Sequence, residues 1–194
     1  MAYSVNSSNS GCYPGTTVLI NKLGLKSQAA LDNVESVAVA LRSAEIESDP
    51  PDTPFTFDFY CGLHKRLFGD LYDWAGELRT IDFSKKGTSF YPAGDLHKLG
   101  NAKFTRLKNM NEFQGLERAE LIDEITDFYH ELNMLHPFRE GNGRTQRLFF
   151  SLLLHRLGYD ISFAACDTDE LMMATIYASQ GVQTYLRAFF EKML

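Results

Sequence analysis

The sequence predicts an all-α domain that carries one small β-hairpin. Apolar residues recur at helical spacing through most of the chain, and only residues 80–92 look like a pair of strands. The 194 residues, 44% of them hydrophobic, suffice for one domain with a sizeable core. We therefore predict an N-terminal arm with a first turn over 1–30, and the domain itself over 31–194.

The first third of the chain predicts an arm, a helix and a loop. Residues 1–15 are rich in Ser, Asn and Gly, which is typical of an irregular segment. Helical spacing begins at Leu31 and continues to Glu47, and the prolines of 48–54 then end the helix. The apolar positions of this helix are Leu31, Val34, Val37, Ala38 and Leu41.

Helical spacing resumes over 57–79, with Gly69 and Gly76 as predicted breaks or caps. The hairpin predicted over 80–92 has two short strands around a turn that contains Lys-Lys-Gly. Further helices are predicted over 95–110, 115–135, 145–157, 167–179 and 182–193. The helix over 145–157 is apolar nearly all round, which predicts a central buried helix.

Composition excludes several classes of function. The net charge of −6 argues against a broad electrostatic grip on nucleic acid. Three scattered cysteines indicate a reducing cytosol rather than a disulfide framework. The start of the chain lacks the pattern of a secretory signal, and no apolar run approaches the length of a membrane span. We expect a soluble protein that binds neither membrane nor nucleic acid directly.

Residues 136–147, HPFREGNGRTQR, concentrate the chemistry of the chain. A Gly-Asn-Gly loop that leads into a helix is a ready anion site, because its backbone N–H groups and the helix dipole both face a ligand. Arg144 and Arg147 lie three residues apart in the first turn, so both can face the same anion. Two arginines beside one loop suggest more than one phosphate group.

The same stretch offers a base and a metal ligand. Glu140 beside an anion site suggests a cation such as Mg²⁺ that bridges the carboxylate to phosphate oxygens. His136 can accept a proton from a hydroxyl near neutral pH. Together these residues predict a phosphate-transfer site. The segment from His130 to His136 does not match a zinc-binding HExxH motif, and no P-loop is present.

HPFREGNGRTQR resembles the signature of the Fic (Fic/Doc) family, HPFx[D/E]GNGRxxR, at every specified position. Residues 13–27, 63–87 and 131–147 also resemble Fic-domain segments, so the resemblance covers nearly the whole chain. It is similar in particular to bacterial Fic toxins and to secreted effector Fic domains. The resemblance implies an all-α Fic-domain helical bundle with a β-hairpin flap, and transfer of AMP from ATP to a protein hydroxyl.

The resemblance also implies a role for each residue of the motif. His136 would deprotonate the hydroxyl of a target Tyr, Ser or Thr, and Glu140 would hold Mg²⁺ against the α- and β-phosphates. The backbone of Gly141, Asn142 and Gly143 would form the anion hole. Arg144 would contact the β-phosphate region and Arg147 the γ-phosphate.

Two further regions follow from the resemblance. Ser84, Lys85, Lys86 and Gly87 would form the tip of the flap, which covers the nucleotide and docks the target, although the two lysines could equally be solvated turn residues. Residues 177–181 fall where relatives line the adenine pocket, which indicates Tyr177, Ser179 and Gln180.

One departure from the family concerns its inhibitory helix, [S/T]xxxE[G/N], whose Glu pairs with the second arginine. The nearest match runs from Ser43 to Glu47, but Ser48 stands where Gly or Asn should follow. The resemblance is therefore to Fic toxins whose inhibitor is a separate small antitoxin, which would supply a Glu to Arg147. The expected location is the bacterial cytoplasm, or a host cell if the chain is an effector.

Two alternatives remain open. The scaffold could transfer another group, since Doc-like relatives phosphorylate their targets and others move UMP. Doc-type motifs have Lys or another larger residue at the position of Gly143, so the AMP hypothesis is favoured. A nucleotide-binding or partner-binding module without turnover is the second alternative, although it would have no need of His136 as a base.

Overall fold

The computed structural model describes residues 4–5, 11–85, 88–161, 163 and 166–194. Seven α-helices account for most of them, which confirms the predicted all-α class. The helices are α1 (Gln28–Ser48), α2 (Phe57–Phe68), α3 (Leu96–Asn109), α4 (Arg118–Leu135), α5 (Asn142–Arg156), α6 (Thr168–Ser179) and α7 (Thr184–Met193). None of the described helices has the length and apolar character needed to cross a membrane.

Helix α5 is the centre of the fold, as its sequence predicts. It packs against α1, α2 and α4, and its apolar residues from Leu148 to Leu154 are all buried. The ring of Phe149 contacts four aromatic rings of α2, α3, α4 and the loop before α2, with centroids 5.2 to 6.1 Å apart. This close packing holds the N-terminal end of α5 rigidly in place.

Helix α1 begins three residues before the predicted stretch and ends one residue after it, and most of its predicted apolar positions are not buried. Val34, Val37 and Leu41, which the apolar pattern marked, are 39%, 62% and 61% exposed. The buried residues are Leu31, which the pattern included, and Glu35, Val39 and Ile46, which it did not. The first three of these are spaced four residues apart and form one stripe. A carboxylate thus lies in the middle of the buried face, which no hydrophobic pattern could indicate.

Helix α2 ends at Phe68, eleven residues before the predicted helical stretch does. The Gly69 N–H donates to the carbonyl of Lys65, and tight turns then carry the chain to Gly76. Gly76 has a φ of +87°, a conformation that favours glycine. These turns bring Tyr72 and Trp74 back against the bundle, where their rings stack with centroids 4.4 Å apart.

The predicted hairpin is present and gains a third strand. Strands β2 (Phe83–Lys85) and β3 (Thr88–Ser89) pair antiparallel, with Ser84 opposite Ser89. Strand β1 (Ser4–Val5), within the arm predicted to be irregular, pairs with the other edge of β2. The order is therefore β1-β2-β3, and β3 forms one edge of the sheet.

Candidate active site

The predicted site residues meet around one cavity of about 360 Å³. The loop after α4 and the start of α5 form its floor. Helix α6 forms one wall, and the residues at and after β3 form its cover. The residues from 136–147 that line it are His136, Glu140, Gly141, Gly143, Arg144, Gln146 and Arg147. The cavity is large enough for a nucleotide-sized ligand.

His136 caps the C-terminal end of α4 in a left-handed conformation, with φ 42° and ψ 58°. Such a conformation is uncommon for a residue with a Cβ, and histidine is among the residues that adopt it more readily. The residue is 7% exposed, and its imidazole stacks on Phe90 with ring centroids 3.8 Å apart and an angle of 8° between the planes. The ring is thus held at the cavity wall under a residue of the hairpin.

Asn142 fixes the loop between His136 and α5. Its side-chain oxygen accepts from the N–H of Phe138, and its amide donates to the carbonyl of the same residue, both at 2.8 Å. Gly141 has a φ of +78°, and a Cβ there would lie 2.4 Å from the ring of Phe68. The side chain of Asn142 therefore stabilises the turn through two hydrogen bonds. Position 141 requires glycine, because a larger residue would clash with Phe68.

The buried imidazole of His64 supports the same loop from below. Nδ1 accepts the N–H of Gly76 at 2.8 Å, so Nε2 carries the proton and donates to the carbonyl of Glu140 at 3.0 Å. The ring stacks between Phe68 and Phe138, at 4.7 and 3.9 Å. Burial lowers the pKa of His64 to about 4, so the ring is neutral at physiological pH.

The two arginines of the motif line the cavity but have different surroundings. The guanidinium of Arg144 lies over the ring of Phe68 and contacts the carboxylates of Glu35, at 2.5 Å, and Glu140, at 3.6 Å. No ion pair holds Arg147 in the part of the chain that the structure describes. The first N–H groups of α5 lie at the same end of the cavity as the two arginines, so this end offers several donors to an anion.

Arg79 joins the hairpin to the loop between α4 and α5, a role that the sequence did not reveal. Its buried guanidinium donates to the carbonyls of His136 and Ile81, both at 2.8 Å, and of Tyr91, at 2.5 Å. The N–H of Arg79 donates to the carbonyl of Pro137. One side chain therefore fixes the backbone of His136 relative to both ends of the hairpin.

The predicted flap residues lie in or beside the hairpin. Ser84 is in the central strand β2, and the backbone of Lys85 pairs with that of Thr88. Lys86 and Gly87 lie outside the described residues. The parts of the hairpin that line the cavity are Thr88 and Phe90.

Helix α6 forms one wall of the cavity through residues other than those predicted for adenine. Met172, Thr175 and Ile176 line the cavity, together with Thr168, Asp169 and Leu171. The predicted residues Tyr177, Ser179 and Gln180 are not among the lining residues. The hydroxyl of Ser179 instead contacts that of Thr88, at 2.7 Å, and the ring of Tyr177 packs on Tyr185. Ser179 and Gln180 follow Thr175 and Ile176 by one helical turn, about 6 Å farther along α6, whereas Tyr177 is rotated by about 100° from Ile176.

Glu140 could bind a magnesium ion only together with ligands that a bound substrate and water supply. Among the described residues, no group of three or more His, Cys, Asp or Glu side chains could hold a metal ion. Mg²⁺ is usually bound by one or two carboxylates together with substrate phosphates and water. Glu140 lines the cavity with its side chain 31% exposed, so its carboxylate can reach such an ion. The donor set therefore suits a magnesium ion held mainly by a polyphosphate.

Comparison with known sequences agrees with this geometry. The sequence model of the family described as Fic/DOC family matches residues 54–154. The chain is similar to a probable protein adenylyltransferase Fic of Escherichia coli, with 32% identity over 182 residues, which span 94% of this chain and 90% of that protein. It is also 34% identical to the protein adenylyltransferase VbhT of Bartonella schoenbuchensis, over 93% of this chain and 38% of that longer protein.

A solved structure shares the fold throughout. The BepC effector protein of Bartonella tribocorum, described with bound AMPPNP, superposes with a TM-score of 0.87. The two chains are 25% identical, and the match covers 97% of each. The helical bundle and its hairpin are therefore an arrangement found in other proteins.

Proposed function

The chain belongs to the Fic/DOC family, and we propose that it transfers AMP from ATP to a Tyr, Ser or Thr hydroxyl of a target protein. The observation that carries the proposal is the convergence of His136, Glu140, Arg144 and Arg147 on one cavity. Several curated relatives are named protein adenylyltransferases, so the reaction class is nucleotidyl transfer.

The triphosphate would bind along the start of α5. The backbone of Gly141, Asn142 and Gly143 would receive the phosphates, with Arg144 on the β-phosphate region and Arg147 on the γ-phosphate. Glu140 would hold Mg²⁺, which supplies charge neutralisation at the phosphates when bound. The adenine would lie against α6, where Met172 and Ile176 offer apolar surface.

His136 would act as the general base. It would take the proton of the target hydroxyl while the hydroxyl oxygen forms a bond to the α-phosphorus. The bond from that phosphorus to the bridging oxygen breaks, and pyrophosphate leaves. The stacked Phe90 and the carbonyl contact of Arg79 would keep the imidazole in the attacking position.

The flap would dock the target. Strand β3 is an edge strand, and Thr88 lies in it beside the cavity. An extended segment of the target could add to this edge through backbone hydrogen bonds, which would bring its hydroxyl toward His136. Ser84 and Lys85 would support this edge from β2, and Lys86 and Gly87 would complete the tip.

A separate small antitoxin is the proposed regulator. It would supply a glutamate to Arg147, which has no ion-pair partner among the described residues and lines the cavity. Glu47, in the nearest internal match to the inhibitory motif, is exposed at the end of α1 and forms no ion pair in the described part of the chain. The toxin would act in the bacterial cytoplasm or, as the effector relatives suggest, in a host cell.

The test compares two labels on the same nucleotide. Purified protein is incubated with a lysate, Mg²⁺, and ATP labelled in either the α- or the γ-phosphate. AMP transfer predicts that the purified protein adds protein-bound label from the α-phosphate only, above the label that the lysate incorporates by itself. Added label from the γ-phosphate would instead show phosphorylation. Nucleotide binding without protein label from either would favour a binding module.

A further inference from the structure

Helix α1 places a buried carboxylate directly behind the catalytic motif. Glu35 is 6% exposed, although it lies on a helix 109 positions before Arg144. Its Oε1 contacts Nη2 of Arg144 at 2.5 Å, and its Oε2 accepts the hydroxyl of Tyr72. Both carboxylate oxygens are therefore engaged.

Such an arrangement is costly unless it is well paired. A buried carboxylate loses its hydration, and only good hydrogen bonds and an opposite charge offset that loss. Tyr72 is itself buried, and its pKa is raised by desolvation and by its hydrogen bond to Glu35. The Tyr72 hydroxyl therefore remains a donor and holds the carboxylate in one orientation.

Glu35 contacts Arg144 without being part of the cavity lining. Arg144 and Glu140 line the cavity, whereas Glu35 and Tyr72 do not. The guanidinium also packs on Phe68, with its central carbon 4.8 Å from the ring centroid. The contact therefore fixes the arginine without occupying the space where a phosphate would bind.

We propose that Glu35 is a positioning residue, which aims the guanidinium of Arg144 into the nucleotide cavity while Tyr72 fixes Glu35. The inference rests on the proposed function, because it takes Arg144 as a phosphate ligand. A fixed guanidinium loses little conformational freedom on binding a phosphate, and the anchor therefore strengthens nucleotide binding and transfer. A carboxylate that obstructed the site would act in the opposite direction, since its removal would raise activity.

The test variant is Glu35→Gln, which keeps the shape and removes the charge. Its matched control is Glu45→Gln, since Glu45 lies on the same helix and pairs with Arg42 at the exposed surface. We expect kcat/KM for ATP to fall about tenfold or more in Glu35→Gln, mainly through KM, and to be unchanged in the control. Unchanged or increased kcat/KM in Glu35→Gln would overturn the proposal.

Testing the same change in an Arg144→Gln protein shows whether Glu35 positions that arginine or only stabilises the fold. In Arg144→Gln, the further change Glu35→Gln should have no added effect on transfer, because Glu35 acts through that arginine. If Glu35→Gln lowered transfer in the Arg144→Gln protein by the same factor as in the wild type, the proposal would be overturned. If Glu35→Gln does not fold, Tyr72→Phe takes its place, and a smaller rise in KM for ATP is expected.

A binding measurement distinguishes failure of this inference from failure of the proposed function. Calorimetry with an ATP analogue that carries an imido bridge between the β- and γ-phosphates reports affinity without turnover. Weaker binding by Glu35→Gln supports the inference even if no target is labelled. Equal affinity in the two proteins, or no binding by the wild type, would overturn it. Absence of transfer by a wild type that binds the analogue would contradict only the proposed function.

Discussion

The ring of Phe90 lies flat against the imidazole of His136, with centroids 3.8 Å apart and planes 8° from parallel. Phe90 directly follows β3, while His136 caps α4, so the contact joins the hairpin to the catalytic loop. The stacked ring covers one face of the imidazole, and His136 also lines the cavity. A flap that docks a target would thereby also orient the base.

Replacing Phe90 with Ala should lower kcat about tenfold, because the imidazole loses the surface that orients it. The measurement is the rate of α-phosphate label transfer at saturating ATP. Phe90→Tyr retains the ring and serves as the matched control, with near-normal kcat. Equal rates for the Ala and Tyr variants would show that stacking does not orient His136.

Arg79→Lys should impair both stability and transfer. A lysine ammonium cannot reproduce the planar fork that donates to the carbonyls of His136, Ile81 and Tyr91. Leaving buried carbonyls without donors should cost about 2–4 kcal/mol of unfolding free energy. Denaturant titration measures that loss, and Arg66→Lys on the exposed surface of α2 is the control. If Arg79→Lys were as stable and active as the wild type, the three hydrogen bonds of the guanidinium would not be needed to hold the loop and the hairpin together.

Most of the site could be predicted from the sequence because its residues are local. His136, Glu140, Arg144 and Arg147 lie within twelve positions, and a loop leading into a helix brings such residues together in almost any packing. The hairpin was equally predictable, since strand residues flank a short turn within one segment. The predicted helices are confirmed in type and order for the same reason.

The supporting residues could not be predicted, because tertiary packing alone brings them to the site. Glu35 and Arg79 are charged residues in unremarkable local sequence, and only the folded chain buries them against the motif. In α1, Val34, Val37 and Leu41 are apolar but exposed, so the hydrophobic pattern did not identify the buried face of this helix. The residues of α6 that line the cavity lie about one helical turn before those that the sequence indicated, because the apolar pattern does not fix how far along its axis a helix meets a cavity.

Gly141→Ala should unfold the catalytic loop or abolish transfer. The new Cβ would meet the ring of Phe68 at 2.4 Å, and the backbone has a φ of +78°. Gly158→Ala is a matched control, since Gly158 has a φ of +88° and nothing within 4 Å of the added atom. We expect a cost of about 1 kcal/mol in the control from backbone strain, and about 1–3 kcal/mol more in Gly141→Ala from the clash. If thermal unfolding showed the same loss of stability in Gly141→Ala and Gly158→Ala, the added Cβ at position 141 would not clash with Phe68.

Stability should fall as the pH is lowered from about 6.5 to about 4. The pKa of His64 is lowered from 6.5 to about 4 by burial, so the unfolded chain takes up a proton before the folded one does. The stabilisation is complete above pH 6.5 and is lost through this window, on the order of 3 kcal/mol in total. Half-buried His130, whose pKa is also lowered by desolvation, contributes in the same direction.

The variant His64→Gln isolates that contribution. Its amide can still donate toward the carbonyl of Glu140, but it does not titrate. Denaturant titrations between pH 4 and 7 should therefore show a shallower loss of stability than in the wild type, while exposed His155→Gln should keep the wild-type slope. Identical slopes in all three proteins would assign the acid sensitivity to other groups.

The role of His136 is tested most directly by transfer of α-phosphate label to protein. Wild type and His136→Ala are incubated with a lysate, Mg²⁺ and labelled ATP, and exposed His97→Ala serves as the matched control. Since no other group is proposed to take the hydroxyl proton, His136→Ala should lose transfer while still binding the imido analogue of ATP. His97→Ala should label protein like the wild type. Undiminished labelling by His136→Ala would contradict its assignment as the base.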